Sequence, residues 1–366
     1  MNRSTIIGAG LAVTLLLVIL GGGAAAPLGA QDSTCARASY SDSHFHLTNY
    51  VQKGITAAAY VRMMGTKVCR STLFGIPLQQ EWDYSNTGDF APTYYLQTDA
   101  PLYYYSFTDA AIAVAFQRLK PAEQARLDPM ITGFNPNAMY AVDHIRRVLL
   151  TFPTVFTGIG EFSVHKEFVS SKVAGGAASL TNPALDRILD FAGEVGLVAL
   201  IHNDIGLPFP KPDQPPYLLD QLMALFRRHP GTTVIWAHAG LGRIVRPAAD
   251  QLQIIDEALN DSALTNLYVD ISWSEVAKYL TASPGTVQAV AAVIKKHPTR
   301  FLFGSDEVAP ATPEEMSRVY ESYEPLWAAL GPETSRMVRL GNYQRIFDGA
   351  RTRVRAWEHA HASEAP

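Results

Sequence analysis

The sequence has little cysteine, only two residues in 366, so neither a multi-disulfide scaffold nor a four-cysteine zinc module holds it together. It also lacks any long run of lysine or arginine, and its formal net charge is −4, which excludes the electrostatic footprint of a nucleic-acid binder. Charged residues make up 17% of the chain against 48% hydrophobic, too few for a disordered segment and enough apolar material for a sizeable core. Beyond the N-terminus no apolar run reaches the length of a membrane helix.

The one long apolar run, Ile6 to Leu20, follows Asn2 and Arg3 and precedes the small residues Gly21 to Ala26 and then Pro-Leu-Gly-Ala, ending at Ala30. That order predicts a signal peptide over 1–30 and an exported protein, periplasmic or extracellular, with an uncleaved membrane anchor as the alternative. Export permits Cys35 and Cys69 to pair, but nothing in the sequence decides between a disulfide and a buried Cys69 beside a free Cys35. Cys35 is not preceded by Leu-small-small, which argues against a lipid anchor through it.

After the signal, short β-branched or apolar runs alternate with segments of helical apolar spacing. The expected strands are 40–47, 67–75, 130–134, 156–162, 197–202, 233–238, 267–272 and 301–305. The clearest helices are 109–126, 138–150, 183–195, 218–228, 247–259 and 286–296. Eight βα units predict an α/β fold, a closed (β/α)8 TIM barrel forming a single domain over 31–351. Two connections break the regularity. Residues 78–107, after the second strand, carry Trp82, Tyr84, Phe90, Tyr94, Tyr95 and a Tyr103-Tyr104-Tyr105 run, and suggest a substrate cover or an aromatic plug. Residues 162–181, after the fourth strand, hold His165, Lys166 and a Gly-rich stretch. A polar tail with little order is expected over 352–366.

Alternate residues of a strand share a face, so Asp42, His44 and His46 are expected to point into the barrel together. Two imidazoles so spaced can hold one metal ion, but His-x-His alone is a weak signal, and His359-Ala-His361 repeats it in a segment read as solvated. The first pair gains weight from further ligands closing later strands: Glu161 after Phe-Thr-Gly-Ile-Gly, His202 after Val-Ala-Leu-Ile, His238 after Val-Ile-Trp-Ala, and Asp306 after Phe-Leu-Phe-Gly-Ser. Catalytic residues of a (β/α)8 barrel collect at these ends. His229 and His297, each before proline at a helix end, and His144 within a helix have structural readings.

With these motifs, and with Ala237-His238-Ala239-Gly240, Gly304-Ser305-Asp306 and the closing Gly341-Asn342-Tyr343-Gln344-Arg345-Ile346-Phe347, the chain resembles the amidohydrolase superfamily, in its TIM-barrel metal-dependent hydrolase branch, from about Tyr40 to Phe347. The resemblance implies metal binding by His44, His46 and Asp306, with His202 and His238 beside them, and a divalent metal, zinc first, as one or two ions per chain. Many members bridge two metals with a carboxylated lysine on strand four; Glu161 stands there in this chain and leaves the count open. A bound metal acidifies water and polarises a carbonyl, and hydrolysis of an amide, ester or lactone needs both. Asp306 is the expected proton shuttle, and His238 the second-ion ligand or an oxyanion stabiliser. Arg243, Lys166, His165 and Trp273 are the expected contacts to a small anionic or aromatic substrate, or else surface charge and packing. The rival readings are a metal-dependent decarboxylase on the same ligands and a non-catalytic exported binding protein; a homo-oligomer is admissible.

Overall fold

The computed structural model describes residues 35–48, 54–76, 107–166, 179–207, 214–243 and 245–366. The expected signal peptide and most of the aromatic 78–107 and Gly-rich 162–181 connections lie outside the described residues.

The strands are β1 (Tyr40–Asp42), β2 (Phe45–His46), β3 (Val68–Leu73), β4 (Leu127–Ile131), β5 (Gly158–His165), β6 (Val198–Asn203), β7 (Thr233–Trp236), β8 (Leu267–Asp270), β9 (Phe301–Leu302) and β10 (Glu307–Val308). Eight of them pair in parallel in the order β1-β3-β4-β5-β6-β7-β8-β9, and β2 pairs in parallel with β10. This second ladder joins the first strand region to the last, assisted by the Ser43 N–H donating to the Phe303 carbonyl at 3.0 Å. The expected eight-stranded barrel with its helices is the observed architecture, and the expected first strand is split into β1 and β2. A strand buried on both faces reads as a continuous apolar run, as in Val-Ala-Leu-Ile of β6, where every residue is buried.

Helix ends follow local chemistry. The helix Pro183–Val195 starts where Asn182 accepts the Ala184 N–H and Pro183 presets φ, and it stops at Gly196, whose φ of 86° is open to glycine. Thr56, Ser283 and Thr312 cap three other helices in the same way. Leu, Ile, Val and Phe from the outer faces of strands and the inner faces of helices form the main core. Inside the barrel a second cluster, including Met130, Val198, Leu200 and Ile235, is closed by Tyr343, Ile346, Phe347 and Ala350. Those four residues belong to the helix Asn342–Ala360, which covers the end of the barrel where strands begin.

The expectation of a loose tail from Thr352 is corrected here. The helix continues to Ala360 with Val354 and Trp357 buried, because Trp357 packs edge-on against Phe191 and under the Arg146 guanidinium. His359 stays exposed, and His361 stacks on Trp357 rather than forming a ligand pair with it. Cys35 and Cys69 form a disulfide, with Cα atoms 4.6 Å apart. Among the described residues no helix is long and apolar enough to cross a membrane.

Candidate metal centre

The mouth of the barrel gathers carboxylates and imidazoles from five strand regions, and two glycines let them approach. Gly160, at φ 109°, precedes Glu161, and a Cβ there would lie 2.2 Å from the Leu200 carbonyl oxygen. Gly304 lets the Ser305-Asp306 turn lie on the first strand region, where a Cβ would come 2.6 Å from the His44 nitrogen. His238 (φ 57°), Trp273 (φ 90°) and Asp306 (φ 51°) all hold left-handed backbone, a cost of order 1–3 kcal/mol each that clusters at functional sites.

Asp306 Oδ1 lies 3.1 Å from both His44 Nε2 and His46 Nε2. Glu161 Oε2 lies 3.8 Å from His44 Nε2 and 3.5 Å from His46 Nε2. On the other side, Glu161 Oε1 meets His202 Nδ1 at 2.5 Å, His238 Nε2 at 3.5 Å and Lys166 Nζ at 3.7 Å. Neighbouring ligand atoms around a tetrahedral zinc with bonds of 2.0–2.2 Å stand about 3.3–3.6 Å apart, so the spacing fits a cation. The ligand sets His44-His46-Glu161 and Glu161-His202-His238 share one carboxylate, and a third set joins His44, His238 and Asp270.

Each imidazole is oriented from behind. His44 Nδ1–H donates to Asp270 Oδ2 at 2.8 Å and His46 Nδ1–H to the Gly75 carbonyl at 2.7 Å, which leaves both Nε2 lone pairs toward the centre. His202 Nε2 meets Asp204 Oδ1 at 2.9 Å, turning Nδ1 to Glu161. His44 Nε2, Glu161 Oε2 and His238 Nε2 are buried without a hydrogen-bond partner, which is unusual for buried polar atoms and is what a cation would satisfy. Together these features support a divalent metal.

The carboxylates at the centre are held towards the ionised form that a ligand needs. Burial raises the Glu161 pKa, but Lys166 and His202 outweigh it and hold the carboxyl well below the usual range. Burial likewise opposes ionisation of Asp306, and His44 and His238 overcome it. His238 is pushed down by burial, despite Asp306, whereas the carboxylates beside His44 and His202 overcome burial and push those imidazoles up.

Of the expected site residues, the structure brings His44, His46, Glu161, His238 and Asp306 together, and His202 joins them through Glu161 and through its ring, 4.7 Å from that of His238. Glu161 lies within β5 rather than at its end, because that strand runs on to His165. Asp42 does not face the centre: the register shifts between Tyr40 and Asp42, and its carboxylate is taken by the Ser305 N–H and hydroxyl and by the Tyr320 hydroxyl. Among the expected substrate contacts, Trp273 lies 5.1 Å from the His238 ring, and the exposed Arg243 lies over Trp273 at 5.7 Å. Lys166 is buried beside Glu161, and His165, half-buried, meets Tyr217 edge-on. His229 and His297 occupy helix C-caps and pair with Asp186, Asp190 and Asp256, and His144 pairs with Asp109.

Sequence reasoning missed Asp204, Asp270 and Ser272. Their signal was present: β8 closes on Asp-Ile-Ser, and His202 is followed two residues later by an acid, at the strand ends where the other ligands sit.

Comparison with known proteins adds the family. Residues 41–349 match the amidohydrolase family model. A search of curated proteins gives no significant match. Among solved structures, a zinc-bound amidohydrolase of Burkholderia multivorans aligns with a TM-score of 0.51 at 13% identity over 84% of this chain and 99% of that one. A probable 2-pyrone-4,6-dicarboxylic acid hydrolase of Acinetobacter baumannii aligns at 0.50 and 12% identity over 85% and 99%. The 2,6-dihydroxybenzoate decarboxylase of Rhizobium aligns at 0.50 and 13% over 85% and 97%. At such identities these structures share the barrel fold with this chain, while the family match spans most of its length. The chain belongs to the amidohydrolase family.

Proposed function

We propose that this protein is an exported hydrolase that uses a divalent metal, zinc first, to cleave an amide, ester or lactone bond of a small molecule. The observation that carries it is the set of three buried atoms without partners, His44 Nε2, Glu161 Oε2 and His238 Nε2, in a centre whose imidazoles are held from behind. His44, His46 and Glu161, with Asp306 3.1 Å from both imidazoles, would hold one ion; Glu161, His202 and His238 would hold a second. When bound, such an ion lowers the pKa of its water towards about 7 and polarises an acyl oxygen.

The chain supplies the rest. Asp306, kept ionised, accepts the proton of the attacking water and returns it to the leaving group, its Oδ2 lying 3.9 Å from His238 Nε2. Lys166 offsets the charge of Glu161. Trp273 and Arg243 form an outer wall beside His238 suited to an aromatic or anionic group. Export is supported by the N-terminal pattern and by the Cys35–Cys69 disulfide, which suits an oxidising compartment. N-terminal sequencing of the secreted chain should read from Gln31.

Elemental analysis of the reconstituted protein tests the centre. Close to two ions per chain are expected, falling to one in Glu161→Ala, because an anionic bridge is needed between two cations about 3.5–4 Å apart. One ion in both proteins decides for a single-metal site. No retained ion, together with no hydrolysis across amides, esters and lactones, rejects the proposal.

A further inference from the structure

Behind the centre, Asp270 and Ser272 are fully buried at the end of β8. Asp270 Oδ1 accepts the Ser272 N–H at 2.8 Å. Asp270 Oδ2 accepts the His44 Nδ1–H at 2.8 Å and the Ser272 hydroxyl at 2.6 Å. A serine hydroxyl has one proton, so Ser272 Oγ has only lone pairs left for its imidazole neighbours, His238 Nδ1 at 3.0 Å and His44 Nδ1, already donating to Asp270, at 3.3 Å. In the bond to His238 the imidazole therefore supplies the proton. The turn that carries Ser272 is braced from outside, where the Tyr323 hydroxyl shares its one proton between the Ile271 and Trp273 carbonyls.

We infer that Asp270 and Ser272 are positioning residues that fix the tautomers of His44 and His238 together, so that both rings present Nε2 lone pairs to the centre. This rests on the metal-hydrolase reading and deepens it, because it chooses between the two roles open to His238. A neutral ring protonated at Nδ1 can accept a proton or bind a cation through Nε2, but cannot donate a hydrogen bond to a substrate oxyanion. His238 is therefore an acceptor. The two rings lie 4.6 Å apart between centroids, and Asp270 with Ser272 links them from behind through three hydrogen bonds. Neutral hydrogen bonds of this kind are worth little each, but orienting partners of metal ligands commonly change metal affinity by 10–100-fold.

Nitrogen NMR of histidine-labelled protein reads the tautomers directly, with the His238 signals assigned by their loss in His238→Asn. In the parent at neutral pH, His238 is expected to carry its proton on Nδ1 alone, with and without zinc. In Ser272→Ala the proton should move at least partly to Nε2, and Asp270→Asn should release zinc to a chelator at a concentration about ten- to a hundredfold lower. A proton on Nε2, or on both nitrogens, of His238 in the parent overturns the inference without any variant. An unchanged Nδ1 proton in Ser272→Ala overturns it as well. A protein that holds the Nδ1 tautomer yet binds no metal would reject the hydrolase reading and leave this one standing.

Discussion

The barrel buries acidic residues at both ends, and the two ends treat them differently. At the end where the strands begin, Asp128 is fully buried, and its oxygens accept from Arg70 at 2.8 Å, Arg351 at 2.6 Å and Tyr343 at 2.8 Å. At the mouth, Glu161 is equally buried, but its Oε2 has no hydrogen-bond partner and stands 3.8 Å from His44 Nε2, which has none either, and 3.5 Å from His46 Nε2. In both cases burial is outweighed by neighbouring positive charge and the pKa falls, by Arg351 and Arg70 at Asp128, by Lys166 and His202 at Glu161. Depressed acidity alone thus does not separate stability from function. Incomplete satisfaction does: the closed network holds the barrel together, and the open one is arranged for something that binds.

Changing one carboxylate to its amide at each end should break that symmetry. Asp306→Asn should keep the fold and lose turnover by about a thousandfold or more, the scale of a lost general base together with a weakened ligand. Activity within a few-fold of the parent would remove Asp306 from the chemistry. Asp128→Asn should do the reverse, costing about 3–5 kcal/mol of stability by leaving Arg70 and Arg351 facing a neutral group, with turnover per folded molecule unchanged. The sign with pH follows from the lowered pKa of Asp128. Its contribution is present above the ordinary carboxylate value of about 3.9 and fades as pH falls through the lower folded-state value. The difference in melting temperature between parent and variant should therefore be full at pH 6 and shrink below about pH 4. A gap that instead widened in acid would show that Asp128 is not ionised in the fold.

How much of this was legible in the sequence also divides by end. Strand-end residues at the mouth stand out, because an imidazole or carboxylate closing a run such as Val-Ala-Leu-Ile has no packing reason to be there, and His44, His46, Glu161, His202, His238 and Asp306 were singled out in that way. Asp42 was misplaced, since alternation assumes an unbroken strand, whereas the register shifts between Tyr40 and Asp42 and the strand is interrupted before Phe45. Asp270 and Ser272 escaped notice because an Asp-x-Ser ending looks like ordinary turn chemistry until His44 and His238 are seen on either side of it. At the other end little was legible. Arg70, Asp128, Tyr343 and Arg351 come from distant segments, and no periodicity links them. The helix through Thr352 was read as a tail because its apolar residues, Val354 and Trp357, are sparse between charges.

The disulfide gives the smallest effect and tests the same division from outside. Cys69 lies in β3 beside Arg70, and Cys35 precedes β1, so the bond ties the start of the chain to the stabilising end and closes a loop of 34 residues. Loop-closure entropy for that length sets a contribution of about 4 kcal/mol, and measured values commonly fall below such figures. In a protein of this size that is about 5 °C in melting temperature. Adding reductant, or making Cys35→Ser with Cys69→Ser, should lower the midpoint by that amount or less. Metal content and turnover at 25 °C should not change, because neither sulfur approaches His44 or Asp306 and the barrel strands between are continuously buried. Two free thiols titrated in the unreduced, denatured protein would show that the bond does not form. A loss of metal on reduction at temperatures where the fold persists would show that the two ends are coupled, and that the closed network at Asp128 supports the mouth as well as the barrel.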